Sequence, residues 1–289
     1  MIALMFAITL ALPPLPPAKP LFRPWIAATS AEPQLQVQRL NADTFVIRQS
    51  IATNFEGPFL YLLFGRDRAL LLDTGAGGLH IRPTIDAIIA GWLATRHRAS
   101  IPLVVAHSHG HGDHHQGDAE FAARPDTQVV GLDAAEVAAF FHITDWPNRI
   151  ATYDLGDRML DIIPTPGHQN AHIMVYDHAT QLLLSGDTLY PGRLYVPVNH
   201  FAEYRASIDR VAAFAASHPV AHALGAHVEM TVRPGEDYPQ AAASHPAEHR
   251  LELPASAITD LQAAVDAMGA TPQRRVLPDF IVTPVPARP

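Results

Sequence analysis

The 289-residue sequence contains no cysteine, little lysine and no long hydrophobic run. Without cysteine, disulfide bonds and thiolate chemistry are excluded, and any bound metal must be held through nitrogen and oxygen ligands. The first twelve residues are apolar apart from Thr9, and this run is too short to span a bilayer. We therefore expect no stable membrane insertion.

The sequence also lacks blocks of acidic or basic residues. Its formal net charge is -8, spread along a chain that is 48% hydrophobic and 17% charged, which is the composition of a globular protein. Such a charge offers no long-range attraction for a phosphate backbone. We expect a small-molecule substrate rather than nucleic acid as the partner, and no pattern in the sequence indicates an oligomeric state.

The N-terminal segment 1–31 has the features of a signal peptide or of a disordered terminus. Ala27, Ala28 and Ala31 are possible processing points, whereas the absence of lysine or arginine near the start argues against a signal. A signal would place the protein in the periplasm or outside the cell, and its absence would leave the protein cytoplasmic. In either case we expect the folded domain to comprise residues 32–289.

From residue 35 onward, short strands alternate with amphipathic helices, which predicts one domain of layered α/β type. The predicted strands are 35–40, 43–49, 58–64, 68–73, 101–106, 128–132, 158–163, 172–177, 181–185 and 220–225. The predicted helices are 81–92, 133–141, 201–216 and 255–268, the second of them capped by Asp133. The proline-rich tail from Pro278 indicates an extended strap or a loose end.

The strand 101–106 leads directly into a histidine-rich segment, 107–115, which reads HSHGHGDHH. Alternate residues of an extended chain point to the same side, so His109 and His111 can reach one metal ion. Asp113 and His114 follow one turn later and can reach a second ion beside the first. A chance histidine cluster is the alternative, but interleaved glycine and an aspartate after a buried strand favour a metal site.

The histidine-rich segment resembles the His-x-His-x-Asp-His signature of the metallo-β-lactamase superfamily, and four other segments resemble motifs of that family in the same order. They are Asp73-Thr74-Gly75, Thr165-Pro166-Gly167-His168 followed by His172, Ser185-Gly186-Asp187-Thr188, and Gly225-Ala226-His227. The resemblance extends from about residue 40 to 230. It implies a four-layer αββα sandwich, with two sheets face to face, helices outside and the metals at one edge.

The resemblance also implies a ligand set for two metal ions. The first ion would be held by His109, His111 and His168, the second by Asp113, His114 and His227, and Asp187 would bridge the two. Two zinc ions are expected because the family mostly uses zinc, although manganese and iron also suit these ligands. His172 is a structural residue at this place in relatives.

These ligands imply a metal-dependent hydrolase in which a metal-bridging hydroxide cleaves a small ester, lactone or thioester. Asp187 and the lack of cysteine make the site more similar to the glyoxalase II and lactonase branches than to the zinc β-lactamases. The alternatives on the same fold are an iron persulfide dioxygenase, a zinc β-lactamase and a phosphodiesterase. A binding protein that has kept the metals but lost the activity is a non-enzymatic alternative.

Three side chains are candidates for roles in catalysis or substrate binding, and one of them, Asp113, is also an expected ligand. Asp113 is expected to orient the nucleophile and to move its proton. Tyr190 lies at the spacing from Asp187 at which lactonases of the family place an assisting tyrosine, so it could donate to the oxyanion or could simply be packed in its loop. Arg193 could pair with a substrate carboxylate or could be an ordinary surface arginine.

Overall fold

The computed structural model describes residues 19–27 and 32–287. The helices within these ranges are α1 (Arg82–Arg96), α2 (Gly112–His115), α3 (Ala134–Phe141), α4 (Phe201–Ser217) and α5 (Ser256–Asp266). The strands are β1 (Leu35–Asn41), β2 (Thr44–Gln49), β3 (Phe59–Phe64), β4 (Ala69–Leu72), β5 (Leu103–Ala106), β6 (Thr127–Val129), β7 (Ala151–Asp154), β8 (Met159–Pro164), β9 (Ile173–Asp177), β10 (Leu182–Gly186), β11 (Arg193–Pro197), β12 (His222–Gly225), β13 (Glu252–Pro254), β14 (Arg275–Val276) and β15 (Ile281–Val285).

Twelve of these strands form two six-stranded sheets. The first has the strand order β1-β2-β3-β4-β5-β6, and the second has the order β13-β12-β10-β9-β8-β7. In the first sheet β1 to β4 are antiparallel, while β5 and β6 join in parallel. The strands β11, β15 and β14 form a separate small sheet. The molecule is therefore built mainly from two mixed sheets.

Strand β3 shows why the sheets are buried on both faces. All six of its residues are apolar, and successive side chains point to opposite faces of a strand. Tyr61 and Leu63 belong to the core between the two sheets. Leu60 and Leu62 belong to a second core on the outer face of the same sheet. A continuous apolar run of this kind needs a cover on each side.

Helices provide the outer covers. Helix α1 packs Ile85, Ile89 and Trp92 against the outer face of the first sheet. Helices α4 and α5 pack against each other and cover the outer face of the second sheet, with Ile208 and Leu261 in the shared core. The four layers are therefore helix, sheet, sheet and helix, which confirms the expected αββα sandwich.

The ten predicted strands and the four predicted helices are all present within a few residues of their expected ends. The capping of α3 is as predicted, since the Asp133 side chain accepts from the Glu136 backbone and the Glu136 side chain accepts from the Asp133 backbone. The strands β7, β11, β13, β14 and β15 were not predicted. Most of them are short, and pairing with neighbours distant in sequence decides their conformation.

The proline-rich tail is an extended strap, which was one of its two expected forms. Strand β15 within it pairs in parallel with β11 and antiparallel with β14. Phe280 and Val282 are buried in the core beneath α4 and α5. The tail thereby becomes part of the wall around the site described below.

The expectation that residues 1–31 take no part in the fold is wrong for residues 19–27. Phe22 is buried, and the ring of Trp25 meets the ring of Phe59 edge-on at 5.1 Å between centroids. The backbone of Arg23 is also bound by the side-chain amide of Gln38. These apolar side chains extend the core between the sheets. The rest of the 1–31 segment, including two of its three possible processing points, lies outside the described residues.

No helix in the described ranges is long and apolar enough to cross a membrane.

Candidate metal centre

The candidate ligands lie at one edge of the sandwich because the strands that carry them end there. Strands β5, β8, β10 and β12 run into the segments that carry the histidine-rich motif, His168, Asp187 and His227. The two sheets are tied together at this edge. The Ile173 amide donates to the Ser108 carbonyl oxygen at 2.8 Å, and the Phe59 amide donates to the Ala226 carbonyl oxygen at 2.8 Å.

The histidine-rich segment leaves β5 as an extended chain and then turns into the short helix α2. His111, at the end of the extended part, has φ −77° and ψ 150°. This change of conformation separates the motif into two parts, because His109 and His111 precede the helix whereas Asp113 and His114 lie within it. The sequence-based division of the motif between two neighbouring ions agrees with this geometry.

Three imidazoles form the first group. His109 Nε2 lies 2.9 Å from His111 Nδ1, and His168 Nε2 lies 3.0 Å from the same atom. One ligand atom from each residue lies within 4.8 Å of the others. Three nitrogen atoms so placed can ligate one cation.

Two histidines and two aspartates form the second group. Asp113 Oδ2 lies 3.1 Å from His114 Nε2 and 3.3 Å from His227 Nε2. With Asp187, these side chains again bring one ligand atom each to within 4.8 Å of the others. The structure therefore brings together all seven residues expected to be ligands, in the two groups that the resemblance implied.

Asp187 lies between the two groups. Its Oδ2 is 3.6 Å from His168 Nε2 and 4.0 Å from His109 Nε2. Its Oδ1 is 3.4 Å from His114 Nε2 and 3.3 Å from His227 Nε2. Each carboxylate oxygen thus faces a different group, which is the arrangement that a bridging ligand requires.

Hydrogen bonds behind the imidazoles orient their ligand nitrogens. The Nδ1 of His168 donates to the Tyr195 carbonyl oxygen at 2.8 Å, and the Nδ1 of His227 donates to the Glu56 carbonyl oxygen at 2.9 Å. A proton on Nδ1 leaves the lone pair on Nε2, which in both residues points to the Asp187 carboxylate. The tautomer needed for ligation is therefore built into the fold.

Asp73 holds the second group from behind. Its carboxylate lies 2.9 Å from His114 Nδ1 and accepts hydrogen bonds from the Ser108 amide at 2.6 Å and the Ser108 hydroxyl at 2.9 Å. The residue takes a positive φ of 70°. The aspartate motif after β4 is thus a support for His114 rather than a ligand in either group.

His172 supports Asp187 in the same way. Its Nε2 accepts a hydrogen bond from the Asp187 amide at 3.1 Å, and its Nδ1 lies 2.7 Å from the Thr165 hydroxyl. A side chain at Gly186 would place its Cβ 2.6 Å from His172 Nε2, so only glycine fits between them. The expected structural place of His172 agrees with these contacts.

The atoms of this centre suit a bound cation. The Nε2 atoms of His114 and His227 and the Oδ1 of Asp187 are buried, yet none has a hydrogen-bond partner among the described residues. Buried polar atoms without partners are rare and require an explanation such as an ion. Ligation would satisfy all three atoms, and nitrogen and carboxylate donors suit zinc, manganese or iron.

The two groups differ in their electrostatics. Burial lowers the pKa of the His109 imidazole well below its usual range, and the neighbouring His114 adds to this effect. Burial acts against the charged form of His114 as well, but the carboxylates of Asp113 and Asp73 raise the pKa of His114 well above its usual range. His109 therefore resists protonation, whereas His114 holds a proton that an incoming cation must displace.

Tyr190 lines the centre, but its hydroxyl is engaged elsewhere. It donates to the carbonyl oxygen of Arg193, and Glu229 Oε2 lies 3.3 Å away. The ring is buried against His227, with 5.4 Å between centroids. This arrangement favours the interpretation in which Tyr190 is packed in its loop over the one in which it donates to an oxyanion.

Neither of the two interpretations of Arg193 is correct. The guanidinium is mostly buried and forms ion pairs with Glu229 at 2.7 Å and Asp237 at 2.9 Å. Its Nε donates to the Tyr195 hydroxyl at 2.9 Å. Glu229 and Asp237, which follow β12, therefore occupy guanidinium N–H groups that a substrate carboxylate would need.

A cleft of about 500 Å³ opens onto the candidate ligands. Its lining includes four residues that were not predicted from the sequence: Glu56, Tyr195, Gln240 and Val285. They come from the loop before β3, from β11, from the segment after β12 and from β15. None belongs to a motif, so no signal in the sequence could have assigned them to the cleft.

The sequence signature of the Metallo-beta-lactamase superfamily matches residues 54–219. With the αββα sandwich and the His/Asp centre, this match defines the class of the protein. The chain belongs to the metallo-β-lactamase superfamily. His227 lies beyond the matched residues and joins the centre through the fold.

Among curated proteins, the chain is similar to the acyl-coenzyme A thioesterase MBLAC2 of Bos taurus, with 26% identity over 184 residues. It is also 30% identical over 146 residues to the hydroxyacylglutathione hydrolase of Xanthomonas euvesicatoria pv. vesicatoria. These matches cover 53% and 49% of this chain, and 66% and 51% of the two relatives. Less than two thirds of either relative is therefore matched.

Solved structures share the fold. A metallo-beta-lactamase from Pontibacter korlensis superposes with a TM-score of 0.52 at 16% identity, covering 81% of this chain and 99% of its own. The FIM-1 metallo-beta-lactamase from Pseudomonas aeruginosa, in a mono-zinc form, has a TM-score of 0.52 at 15% identity, with 83% and 99% covered. At such identities the likeness extends to the fold alone.

Proposed function

We propose that the protein is a dinuclear metal-dependent hydrolase that cleaves a small-molecule thioester, with small esters and lactones as related substrates. The observation that carries the proposal is the position of Asp187, whose two carboxylate oxygens face two separate groups of ligand atoms. A site for a single cation would not need a carboxylate placed in this way.

In this proposal His109, His111 and His168 hold one cation, and Asp113, His114 and His227 hold the other. Cations held there would supply a bound water with a pKa lowered towards about 7 and would polarise the substrate carbonyl. Zinc is the metal we expect. The lack of hydrogen-bond partners for the buried Nε2 atoms of His114 and His227 supports this ligand role.

Asp113 is the residue that we assign to orienting the nucleophile and moving its proton. Its carboxylate lines the cleft and reaches both His114 and His227. Burial would raise the pKa of Asp113, but the two imidazoles hold that pKa well below its usual range. The carboxylate is therefore ionised at neutral pH and can accept a hydrogen bond.

The thioester preference rests on the relatives. Two kinds of curated protein similar to this chain are named as a thioesterase and as a hydroxyacylglutathione hydrolase. The neighbours with the β-lactamase name resemble this chain in fold only, and fold does not transmit substrate preference. Thioesters are accordingly the first substrates to test, followed by lactones and β-lactams.

The test is a substrate panel on protein whose metal content has been measured. We expect about two equivalents of zinc, and faster hydrolysis of acyl thioesters than of β-lactams or phosphodiesters. Asp113→Asn should lower kcat/KM by about 100-fold to 1000-fold, because the nucleophile loses its orienting carboxylate. Asp260→Asn, the same change at an exposed position on α5, is the matched control and should leave kcat/KM unchanged.

Three results would contradict the proposal. One equivalent of iron with oxygen uptake on a persulfide would indicate a dioxygenase instead. Turnover confined to phosphodiesters would indicate a phosphodiesterase. Retention of two metals with no hydrolysis of any substrate, and no effect of Asp113→Asn on ligand binding, would indicate a binding protein.

A further inference from the structure

One carboxylate in the cleft has no partner. Glu56 lies in the loop between β2 and β3, and its backbone carbonyl oxygen accepts the hydrogen bond from His227 Nδ1 at 2.9 Å. This bond holds the loop against the metal centre. The Glu56 side chain lines the cleft and makes no hydrogen bond or ion pair within the described residues.

No lysine or arginine side chain balances this carboxylate. Neither lysine nor arginine is among the described residues that line the cleft. Arg193, the arginine that the sequence suggested for a substrate carboxylate, is already paired with Glu229 and Asp237. Two further donors of Arg193 bind the Tyr195 hydroxyl and the Tyr238 carbonyl oxygen. The protein thus offers a substrate anion no free guanidinium or ammonium group here.

Other carboxylates strengthen the negative potential near Glu56. Burial raises the pKa of Glu56, which His227 partly offsets, and the carboxylates of Asp113 and Glu229 raise it further. A substrate carboxylate in the same cleft would experience the same repulsion. Asp113 and Asp187 belong to the proposed ligand set and would be neutralised by bound cations. Glu56 does not belong to that set, so its negative charge would remain.

We propose that Glu56 sets the charge preference of the cleft, disfavouring molecules that carry a carboxylate near the metal-binding end and favouring neutral or cationic ones. As a statement about substrates, this inference rests on the proposed hydrolase function. A like charge about 8 Å away reduces affinity about fivefold when the effective dielectric constant is about 40. The expected discrimination is of this size and should decrease as salt is added.

The first test compares three thioesters of one acyl group whose thiols share a two-carbon chain and end in groups of different charge. The thiols are 2-mercaptoethanol, 3-mercaptopropionate and 2-dimethylaminoethanethiol, which are neutral, anionic and cationic. The wild type should show the lowest kcat/KM for the anionic thioester. Glu56→Gln should raise kcat/KM for the anionic thioester about fivefold relative to the neutral one and lower the relative value for the cationic one. Equal changes for all three thioesters would overturn the inference.

The second test does not depend on turnover. Calorimetry measures binding of 3-mercaptopropionate and of 2-mercaptoethanol to the zinc-loaded protein. Glu56→Gln should tighten binding of the anionic thiol about fivefold and leave the neutral thiol unchanged. An unchanged affinity for 3-mercaptopropionate overturns the inference even if thioesters are hydrolysed. If the affinities change as expected but no thioester is hydrolysed, only the proposed function is overturned.

Two further variants separate charge from shape. Glu56→Ala removes the same charge with a smaller side chain and should give the same preference for the anionic thiol. Glu203→Gln removes one negative charge at an exposed position on α4 and should change neither affinity nor the order of kcat/KM. An equal effect of Glu203→Gln would show that net charge, and not Glu56, controls the preference.

Discussion

Two buried polar clusters at opposite ends of the sandwich differ in how completely their atoms are paired. At the end away from the candidate metal centre, the Arg158 guanidinium binds both carboxylate oxygens of Asp177, at 3.0 and 2.6 Å. Its other donors reach the carbonyl oxygens of Asp43 and Phe64 and the Thr44 hydroxyl. All of its hydrogen-bonding capacity is therefore used inside the protein.

The metal centre also contains buried polar atoms, but not all of them form hydrogen bonds within the protein. The Nε2 atoms of His114 and His227 and the Oδ1 of Asp187 have no hydrogen-bond partner among the described residues. A fully paired buried cluster contributes to the specificity of the fold, whereas an incompletely paired one costs free energy until a ligand completes it. The Arg158 cluster is therefore complete within the protein, whereas the His/Asp centre has the incomplete pairing expected of a ligand-binding site.

The largest expected effect comes from replacing Asp187 by Asn. The variant loses a carboxylate that faces both groups of ligand atoms, so kcat/KM should decrease about 1000-fold, which corresponds to about 4 kcal/mol of transition-state stabilisation. Bound zinc should fall below two equivalents. In the metal-free protein, by contrast, the free energy of unfolding should fall by less than in a variant of the fully hydrogen-bonded cluster, because Asp187 Oδ1 forms no internal hydrogen bond.

The matched change in the paired cluster is Asp177→Asn. It should leave zinc content and kcat/KM per folded molecule unchanged while lowering the free energy of unfolding, because Arg158 loses its counter-charge. Metal analysis and urea unfolding of both variants test the contrast. If Asp187→Asn destabilised the metal-free protein as much as Asp177→Asn, the two clusters would not differ in the way described here.

A smaller effect, on stability alone, is expected for Arg158→Leu. This change leaves the Asp177 carboxylate buried without a partner, so the free energy of unfolding should fall by about 3 kcal/mol in urea denaturation. The double variant Arg158→Leu/Asp177→Leu removes both charges and should recover part of the loss. No recovery in the double variant would mean that the loss comes from packing and not from the unpaired charge.

The smallest effect is expected at Tyr190, which lies beside the metal centre but is paired internally. Because its hydroxyl already donates to the Arg193 carbonyl oxygen, Tyr190→Phe should lower kcat/KM by less than about threefold and the free energy of unfolding by about 1 kcal/mol. Steady-state kinetics and urea unfolding measure both quantities. If kcat/KM instead fell by about 100-fold or more, donation to the oxyanion would be supported.

The sequence predicted the layered fold from its hydrophobic pattern, and it indicated the candidate ligands through one spaced segment and a family resemblance. Strands such as 58–64 are continuous apolar runs that need two covers, and residues 109–114 show ligand spacing within a single segment. The motifs around His168, Asp187 and His227 follow strands whose ends meet at one edge of the second sheet. Local pattern therefore predicted the fold and the ligands within residues 109–114, whereas the resemblance to family motifs implied His168, Asp187 and His227.

The predictions that were wrong or undecided concern contacts between segments far apart in the chain. Phe22 lies in a segment that resembles a signal peptide, yet it packs into the core between the sheets. Arg193 resembles a substrate-binding residue, yet Glu229 and Asp237 pair with it across more than 30 residues of chain. Hydrophobic pattern and motif spacing contain no information about such partners.

The sequence by itself determined the layered fold, the absence of thiolate ligands and the ligand spacing of residues 109–114, because periodicity and spacing act locally, while the resemblance of its motifs to one family implied His168, Asp187 and His227. The tertiary structure alone decided which oxygen of Asp187 faces which group, that Glu56 reaches the cleft without a partner, and that Arg193 is already paired. These are properties of distances between side chains, and such distances are set only when the two sheets pack together.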